Sequence, residues 1–176
     1  HKVVPYCPRC GTPLSSHEMA NSYRQVDDPS IFVKLKAADA DEYFVTWTTT
    51  PWTLPSNVAV AAHPSLEYVV ARVDGEPVLL AAARAEAVLG DGAEELLRLP
   101  GAALEGLAYE RPLDLVTPEE RSETAFTVRL ADFVSADDGT GLVHMAPAFG
   151  ADDFSIRQRD GLPLLMPVDE QGRVTD

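Results

Sequence analysis

Hydrophobic and polar positions alternate towards the end of Ile31-Phe32-Val33-Lys34-Leu35-Lys36, and Glu42 to Thr48 is aromatic and β-branched, so both stretches predict strands. Glu67 to Val73 and Pro77 to Ala81 flank an Asp74-Gly75 turn and predict a hairpin. Ala82 to Leu89 and Ala93 to Leu99 are rich in Ala, Leu and Glu and predict two short helices, broken at Gly90-Asp91-Gly92. Thr124 to Val134 predicts a longer strand. It runs to the turn Asp137-Asp138-Gly139, and Leu142 to His144 predicts a short strand behind it. Asp152 to Arg159 predicts a helix that starts at Asp152 or Ala151, carries Arg157 and Arg159 in its last turn and stops at Gly161. Leu164 to Val168 predicts a final strand before the Gly172 turn. Strands dominate and the helices interrupt them without strict βαβ alternation. The expected fold class is therefore mixed α/β and strand-dominated, an open or closed β-barrel with helical insertions rather than a doubly wound sheet.

Composition bounds this picture. With 176 residues, 45% of them apolar, one domain can bury a core holding about 70% of the surface an unfolded chain exposes. The net charge of −14 is uneven: residues 1–36 carry five Lys/Arg and three Asp/Glu, the remainder nine and twenty-five. So acidic a chain does not coat duplex nucleic acid, which needs a basic face, although it can still grip one nucleotide end. No apolar run reaches the roughly 18–20 residues that span a bilayer, and no basic-then-apolar leader is present, so the expectation is a cytoplasmic chain with no membrane partner. The start at His1-Lys2 reads as an internal piece of a longer protein. Eleven Arg against three Lys, with two Asn and three Gln, leans towards a thermophile or a GC-rich genome.

Both cysteines lie in Cys7-Pro8-Arg9-Cys10-Gly11. A C-x-x-C turn aims two thiolates at one point, which is half of a tetrahedral zinc site. The other two ligands have no pair in this chain; His1 and His17 could stand in, at a spacing that fits no common pattern. The alternatives are a redox pair, which ordinarily sits between a strand and a helix, or a reduced surface turn.

Two segments hold more polar residues than a bland strand or turn needs. Trp47-Thr48-Thr49-Thr50-Pro51-Trp52-Thr53-Leu54-Pro55-Ser56-Asn57 forms a rigid, hydroxyl-rich loop at a strand end, suited to holding a small polar ligand. The competing reading is a Thr-rich strand whose prolines merely fix a turn. In Gly139-Thr140-Gly141-Leu142-Val143-His144-Met145-Ala146-Pro147-Ala148-Phe149-Gly150-Ala151-Asp152-Asp153, glycines allow close backbone approach, a His sits at a strand end and two carboxylates open a helix. One Asp at a helix start is ordinarily a cap worth about 1 kcal/mol. A second, Asp153, is free to pair with a cation. A lone strand histidine such as His144 is more often packed than basic. No nucleophile elbow, phosphate loop or catalytic metal spacing is present, which disfavours covalent and metal-dependent hydrolysis.

Together these two segments resemble the editing (CP1) domain inserted in class I aminoacyl-tRNA synthetases for branched aliphatic amino acids, most closely its isoleucyl branch. Valyl and leucyl relatives read Thr-Thr-Arg-Pro where this chain has Thr48-Thr49-Thr50-Pro51, and Trp52 stands in place of an acidic residue. Ala62-His63-Pro64 fits the strand end between them, and Cys7 to Cys10 looks like the CP1 linker knuckle, so the resemblance covers nearly the whole chain. It implies a β-barrel core with surrounding helices, with residues 1–20 as part of the linker and 21–176 as the editing domain. The implied reaction is hydrolysis of mischarged Val-tRNA(Ile), with valyl-adenylate as a candidate second substrate. A hydrophobic pocket cannot strongly reject a side chain that is one methylene smaller, so a second site must remove the error.

Carried over residue by residue, the resemblance assigns Asp153 to the substrate's α-ammonium, as a carboxylate kept ionised near a helix N-terminus. Thr48, Thr49 and Thr50 line the amino-acid pocket and hold the attacking water or the carbonyl. Trp52 and Thr53 are substrate-binding positions beside them, and His144 blocks the extra methylene by bulk. Asn57 contacts the terminal adenosine or stabilises the loop. The free hydroxyl of the terminal ribose helps activate water, so no strong protein base and no cofactor are implied for the chemistry; Cys7 and Cys10 would share a structural zinc with a C-x-x-C outside this chain. The implied partners are the 3′-terminal adenosine of Val-tRNA(Ile) and the rest of the parent synthetase, with the chain monomeric. Arg157 and Arg159 are candidates for phosphate contact or plain solvated surface. The alternative is a non-catalytic aminoacyl- or adenosine-binding module.

Overall fold

The computed structural model describes residues 3–115 and 122–175. Ten strands and three α-helices occur among them. A small hairpin, β1 (Tyr6–Cys7) and β2 (Thr12–Pro13), and the capped helix α1 (Ser16–Ala20) precede the main sheet. That sheet holds β3 (Ile31–Lys36), β4 (Tyr43–Thr48), β5 (Ala59–Ala62), β6 (Glu67–Val73), β7 (Glu76–Ala81), β8 (Glu94–Pro100), β9 (Thr127–Leu130) and β10 (Leu142–Met145). The helices α2 (Ala85–Leu89) and α3 (Ala151–Asp160) lie outside the strand path.

A strand has two edges, and β4 uses both. β3 takes one along its whole length, from Ile31 opposite Thr48 to Lys36 opposite Tyr43. The other edge is divided: β7 pairs in parallel with Tyr43 and Phe44, and β10 pairs in parallel with Trp47. The sheet forks there. One arm runs β7-β6-β8; the other runs β10-β5-β9. The second arm curls back, because Ala108 bridges Thr127 of β9 while Tyr109 bridges Ala37 just past β3. A partly open barrel results, and its interior is filled by Leu35, Phe44, Val60, Tyr109, Val128 and Leu142 among others.

Local chemistry explains several elements. Asp74 (φ 50°) and Gly75 (φ 85°) both take the left-handed conformation, which matches the twist of a two-residue hairpin and joins β6 to β7. Gly141 (φ 72°) seats the start of β10 against β7, where a Cβ would stand 2.4 Å from that of Ala81. Tyr68 Oη donates to Gly141 O at 2.7 Å and fixes the same turn. Gly141→Ala therefore combines an unfavourable φ with an overlap, and should cost about 2–4 kcal/mol in a denaturant titration. At its far end α3 is tied to β9: Arg129 Nε meets Asp160 at 2.9 Å, and the Arg159 and Arg129 guanidinium groups hold the Asp160 carboxyl below the usual range.

Four expectations change. Glu94–Pro100 is a strand, not a helix: its helix-forming residues are overruled by the free edge of β6, and Arg72–Glu94 and Arg98–Glu67 pair across the strands. Ala82–Leu89 is a 3₁₀ turn over Ala82–Arg84 followed by one short helix. The Thr124–Val134 strand shrinks to β9, the stretch that pairs along β5 and, at Thr127, with Ala108. Leu164–Val168 forms no strand; its one ladder contact is the bridge between Val168 and Val174. The strand β5, whose four residues are all buried, was not anticipated.

Candidate active site

β4 and β10 are parallel neighbours, so both deliver their last residues to the same end of the barrel. There the chain after β4 turns through a 3₁₀ helix, Pro51–Ser56, with Pro51 at its first position. After β10 it folds through Ala146 and Phe149 into α3, whose N-cap is Gly150. A cavity of about 490 Å³ opens between these two connections, within the usual size range of ligand sites. Trp47, Thr48, Thr49, Thr50, Trp52 and Thr53 form one wall, and Val143, His144, Ala146, Phe149, Gly150 and Asp153 form the other.

Asp153 is the third residue of α3. One of its oxygens, Oδ2, accepts from Ala146 N at 2.8 Å, while no residue donates to Oδ1 among the described residues. Burial pushes the carboxyl up from its ordinary value, opposed by the Ala146 amide, so ionisation is harder than a helix N-terminus alone implies. A cationic group brought into the cavity relieves that cost. Gly150 makes room for the carboxylate: a Cβ there would lie 2.7 Å from Oδ2. Gly150→Ala should leave the fold intact and displace Asp153, with about a tenfold loss of cavity-dependent turnover, measured against a thermal melt as control.

The hydroxyls on the opposite wall are ordered among themselves. Thr48 Oγ1 accepts from Thr50 N at 3.0 Å and lies 3.3 Å from Thr50 Oγ1; Thr53 Oγ1 donates to Thr50 O at 2.8 Å. Thr49 and Thr50 are exposed to the cavity, and Thr48 and Thr53 are buried behind them. Trp52 is 63% exposed and forms a rim.

His144 is buried on β10, with Nε2 2.9 Å from Thr53 Oγ1 and Nδ1 2.8 Å from Asn57 Nδ2. Burial lowers its pKa to about 4, so the ring is neutral at physiological pH. Because the unfolded histidine titrates near 6.5, the folded state loses stability as pH falls from that value towards 4, by up to about 3 kcal/mol. Denaturant titrations of the wild type and a His144→Gln variant between those limits should show that dependence shrink in the variant.

Asn57 does not line the cavity. It is 1% exposed, donates to Ala59 O and His144 Nδ1, and accepts from Tyr109 Oη at 2.5 Å. Asn57 thus supports His144 from behind the cavity wall, in line with the stabilising alternative of its expected role. Arg159 is committed to Asp160 and to Leu130 O, and Arg157 stacks on Phe154, so neither faces the cavity. Trp47, Val143, Ala146, Phe149 and Gly150 also line the cavity; they belong to the same two segments, where small and apolar residues carry no sign of a binding role. Tyr109 lies in neither, and no local pattern marks it.

Cys10 N donates to Cys7 Sγ at 3.4 Å, and Gly11 N closes the turn on Cys7 O. No group of three His, Cys, Asp or Glu gathers among the described residues, so His17 does not complete a set with the two thiols; His1 lies outside the described residues. No helix among the described residues is long and apolar enough to cross a membrane.

No family model matches the chain. It is 47% identical over 180 residues to the isoleucine–tRNA ligase of Thermus thermophilus, covering 99% of the chain and 17% of that relative. The isoleucine–tRNA ligase of Picrophilus torridus is also 47% identical, over 178 residues and 100% of the chain, again 17% of the relative. The chain thus spans about one sixth of the length of the curated relatives it matches. Among solved structures, GlLeuRS-CP1 superposes with a TM-score of 0.61 at 16% identity, covering 74% of this chain and 59% of that one. The P. knowlesi cytosolic leucyl-tRNA synthetase editing domain does so with 0.59 at 12% identity, over 75% and 63%. Those two likenesses establish the fold, and the 47% identity along the whole chain establishes the kinship: the chain is related to a segment of the isoleucine–tRNA ligases and has the fold of the CP1 editing domains.

Proposed function

We propose that the cavity hydrolyses the ester of valine mischarged onto tRNA(Ile) and excludes isoleucine by size. The observation that carries this reading is the meeting of two segments about a hundred residues apart. The Thr48–Thr53 hydroxyls and the Asp153 carboxylate face one cavity, with a neutral, buried His144 between them. Asp153 takes the α-ammonium and thereby fixes the ester; Thr49 and Thr50 hold its carbonyl or the incoming water. Water adds to the carbonyl carbon, the bond to the ribose oxygen breaks, and the proton from water ends on that oxygen. Both ring nitrogens of His144 are engaged by the scaffold, so no protein base is assigned; the neighbouring ribose hydroxyl relays the proton. The isolated terminal adenosine is a fitting partner for so acidic a chain, and binding of the tRNA body falls to the rest of the synthetase. Valyl-adenylate presents the same ammonium and acyl carbon, and is the second substrate of this reading.

The test is deacylation of Val-tRNA(Ile) and Ile-tRNA(Ile) by the synthetase that contains this chain. Hydrolysis of the valyl ester alone supports the reading. Binding of aminoacyl-adenosine without any hydrolysis would instead favour a non-catalytic module.

Cys7 and Cys10 fit half of a structural zinc site, with an amide already facing one sulfur. The remaining two ligands would come from another part of the synthetase. Metal analysis should then find one equivalent of zinc held by these cysteines in the synthetase, lost in Cys7→Ser, and less than one in this chain alone.

A further inference from the structure

Between the barrel interior and the cavity runs a line of polar groups whose partners fix the placement of each hydrogen from Tyr109 to His144. Ala59 O can only accept, so the Asn57 atom 3.1 Å from it is the amide NH₂. The same NH₂ then donates to His144 Nδ1, and the Asn57 carbonyl oxygen receives the Tyr109 hydroxyl. With Nδ1 accepting, the neutral ring carries its hydrogen on Nε2 and gives it to Thr53 Oγ1, whose own hydrogen goes to Thr50 O. Tyr109 is itself locked: it is 3% exposed, its amide donates to Phe126 O, and Phe44 and Phe126 meet its ring edge-on at 6.3 Å. The bridge that closes the barrel thus holds the first donor of the line.

We infer that Tyr109 is a positioning residue of the cavity: its hydroxyl orients Asn57, Asn57 holds His144 as the Nε2–H tautomer, and His144 orders the Thr50–Thr53 turn on the opposite wall. The inference rests on the proposed function for its consequence, which is the size limit of the pocket. A ring held at both nitrogens cannot swing aside for a larger acyl chain. Removing the first donor leaves a buried Asn57 oxygen unpaired and frees the amide to move.

The direct test is nitrogen NMR of the imidazoles in the 176-residue chain, which has only four histidines, together with deacylation by the whole synthetase. In the wild type, His144 should show an unprotonated Nδ1 and a protonated Nε2, and stay so at about pH 6, where a free histidine is largely charged. Tyr109→Phe should broaden or average those signals and lower the ratio of valyl to isoleucyl hydrolysis by about three- to tenfold, the worth of one buried hydrogen bond. Asn57→Asp, nearly equal in size, replaces the donor by an acceptor; His144 should then carry its hydrogen on Nδ1 and protonate more readily. Unchanged imidazole signals and ratio in Tyr109→Phe, or an Nε2–H tautomer persisting in Asn57→Asp, would overturn the inference. If the wild type hydrolyses neither ester, the proposed function fails, and the imidazole signals alone still decide the line of hydrogen bonds.

Discussion

Asp153→Ala should lower deacylation of Val-tRNA(Ile) by roughly 30- to 5,000-fold, the rate equivalent of the about 2–5 kcal/mol lost when one partner of a buried charge pair is removed. The fold should survive. The carboxylate is pushed towards its protonated form by burial, so its folded-state pKa lies above the unfolded one. A group shifted that way contributes stability below its unfolded pKa and loses it as pH rises, which makes the ionised side chain a burden at neutral pH. Asp153→Asn retains an acceptor for Ala146 N and should melt no lower than the wild type while being as inactive as the alanine variant. Such a pairing of lost activity with undiminished stability marks a residue held for a ligand. A variant that keeps its deacylation rate would remove Asp153 from the mechanism.

His144→Ala should reverse the selectivity. The imidazole fills the floor between the Thr wall and α3, and its removal opens space for the methylene that distinguishes isoleucine from valine. One methylene in a hydrophobic pocket is worth about 1–3 kcal/mol, so the excluded ester should gain about 10- to 200-fold in its rate relative to valine. The variant synthetase then destroys its own correct product, Ile-tRNA(Ile). Stability should fall by about 1–3 kcal/mol, because Asn57 Nδ2 loses one of its acceptors and Thr53 loses a donor in a buried setting. Persisting exclusion of isoleucine would move the size filter to Trp47, Trp52 or Phe149, the other large side chains of the walls.

How far the sequence foretold this molecule depended on how local each signal was. Asp74-Gly75 specifies its own turn, and the alternation in β3 and the acidic start of α3 are read from neighbouring residues; all three lie within a residue or so of where they were expected. The segment Glu94–Pro100 differs from expectation because its Leu and Glu favour a helix in isolation while β6 supplies an open edge 22 to 33 residues away. β5 was missed since Ala59-Val60-Ala61-Ala62 is buried on both faces and shows no alternation. Seven of the eight pocket residues expected to have side-chain roles line the cavity where the two motifs meet. The exception, Asn57, differs because its amide reaches a tyrosine 52 positions later, and nothing around Tyr109 announces a polar task. The meeting of the two motifs itself depends on β4 and β10 being parallel neighbours, a pairing that no stretch of either strand encodes alone.

The central claim is a cavity that admits a valyl group and refuses an isoleucyl one. Titrating the chain with non-hydrolysable 3′-valylamino- and 3′-isoleucylamino-adenosine, followed residue by residue by NMR, tests it without requiring turnover. The account predicts shifts with the valyl compound confined to Thr48–Thr53 and Val143–Asp153, and none with the isoleucyl compound at the same concentrations. Equal binding of both compounds at those residues, or shifts only elsewhere on the surface, would contradict it.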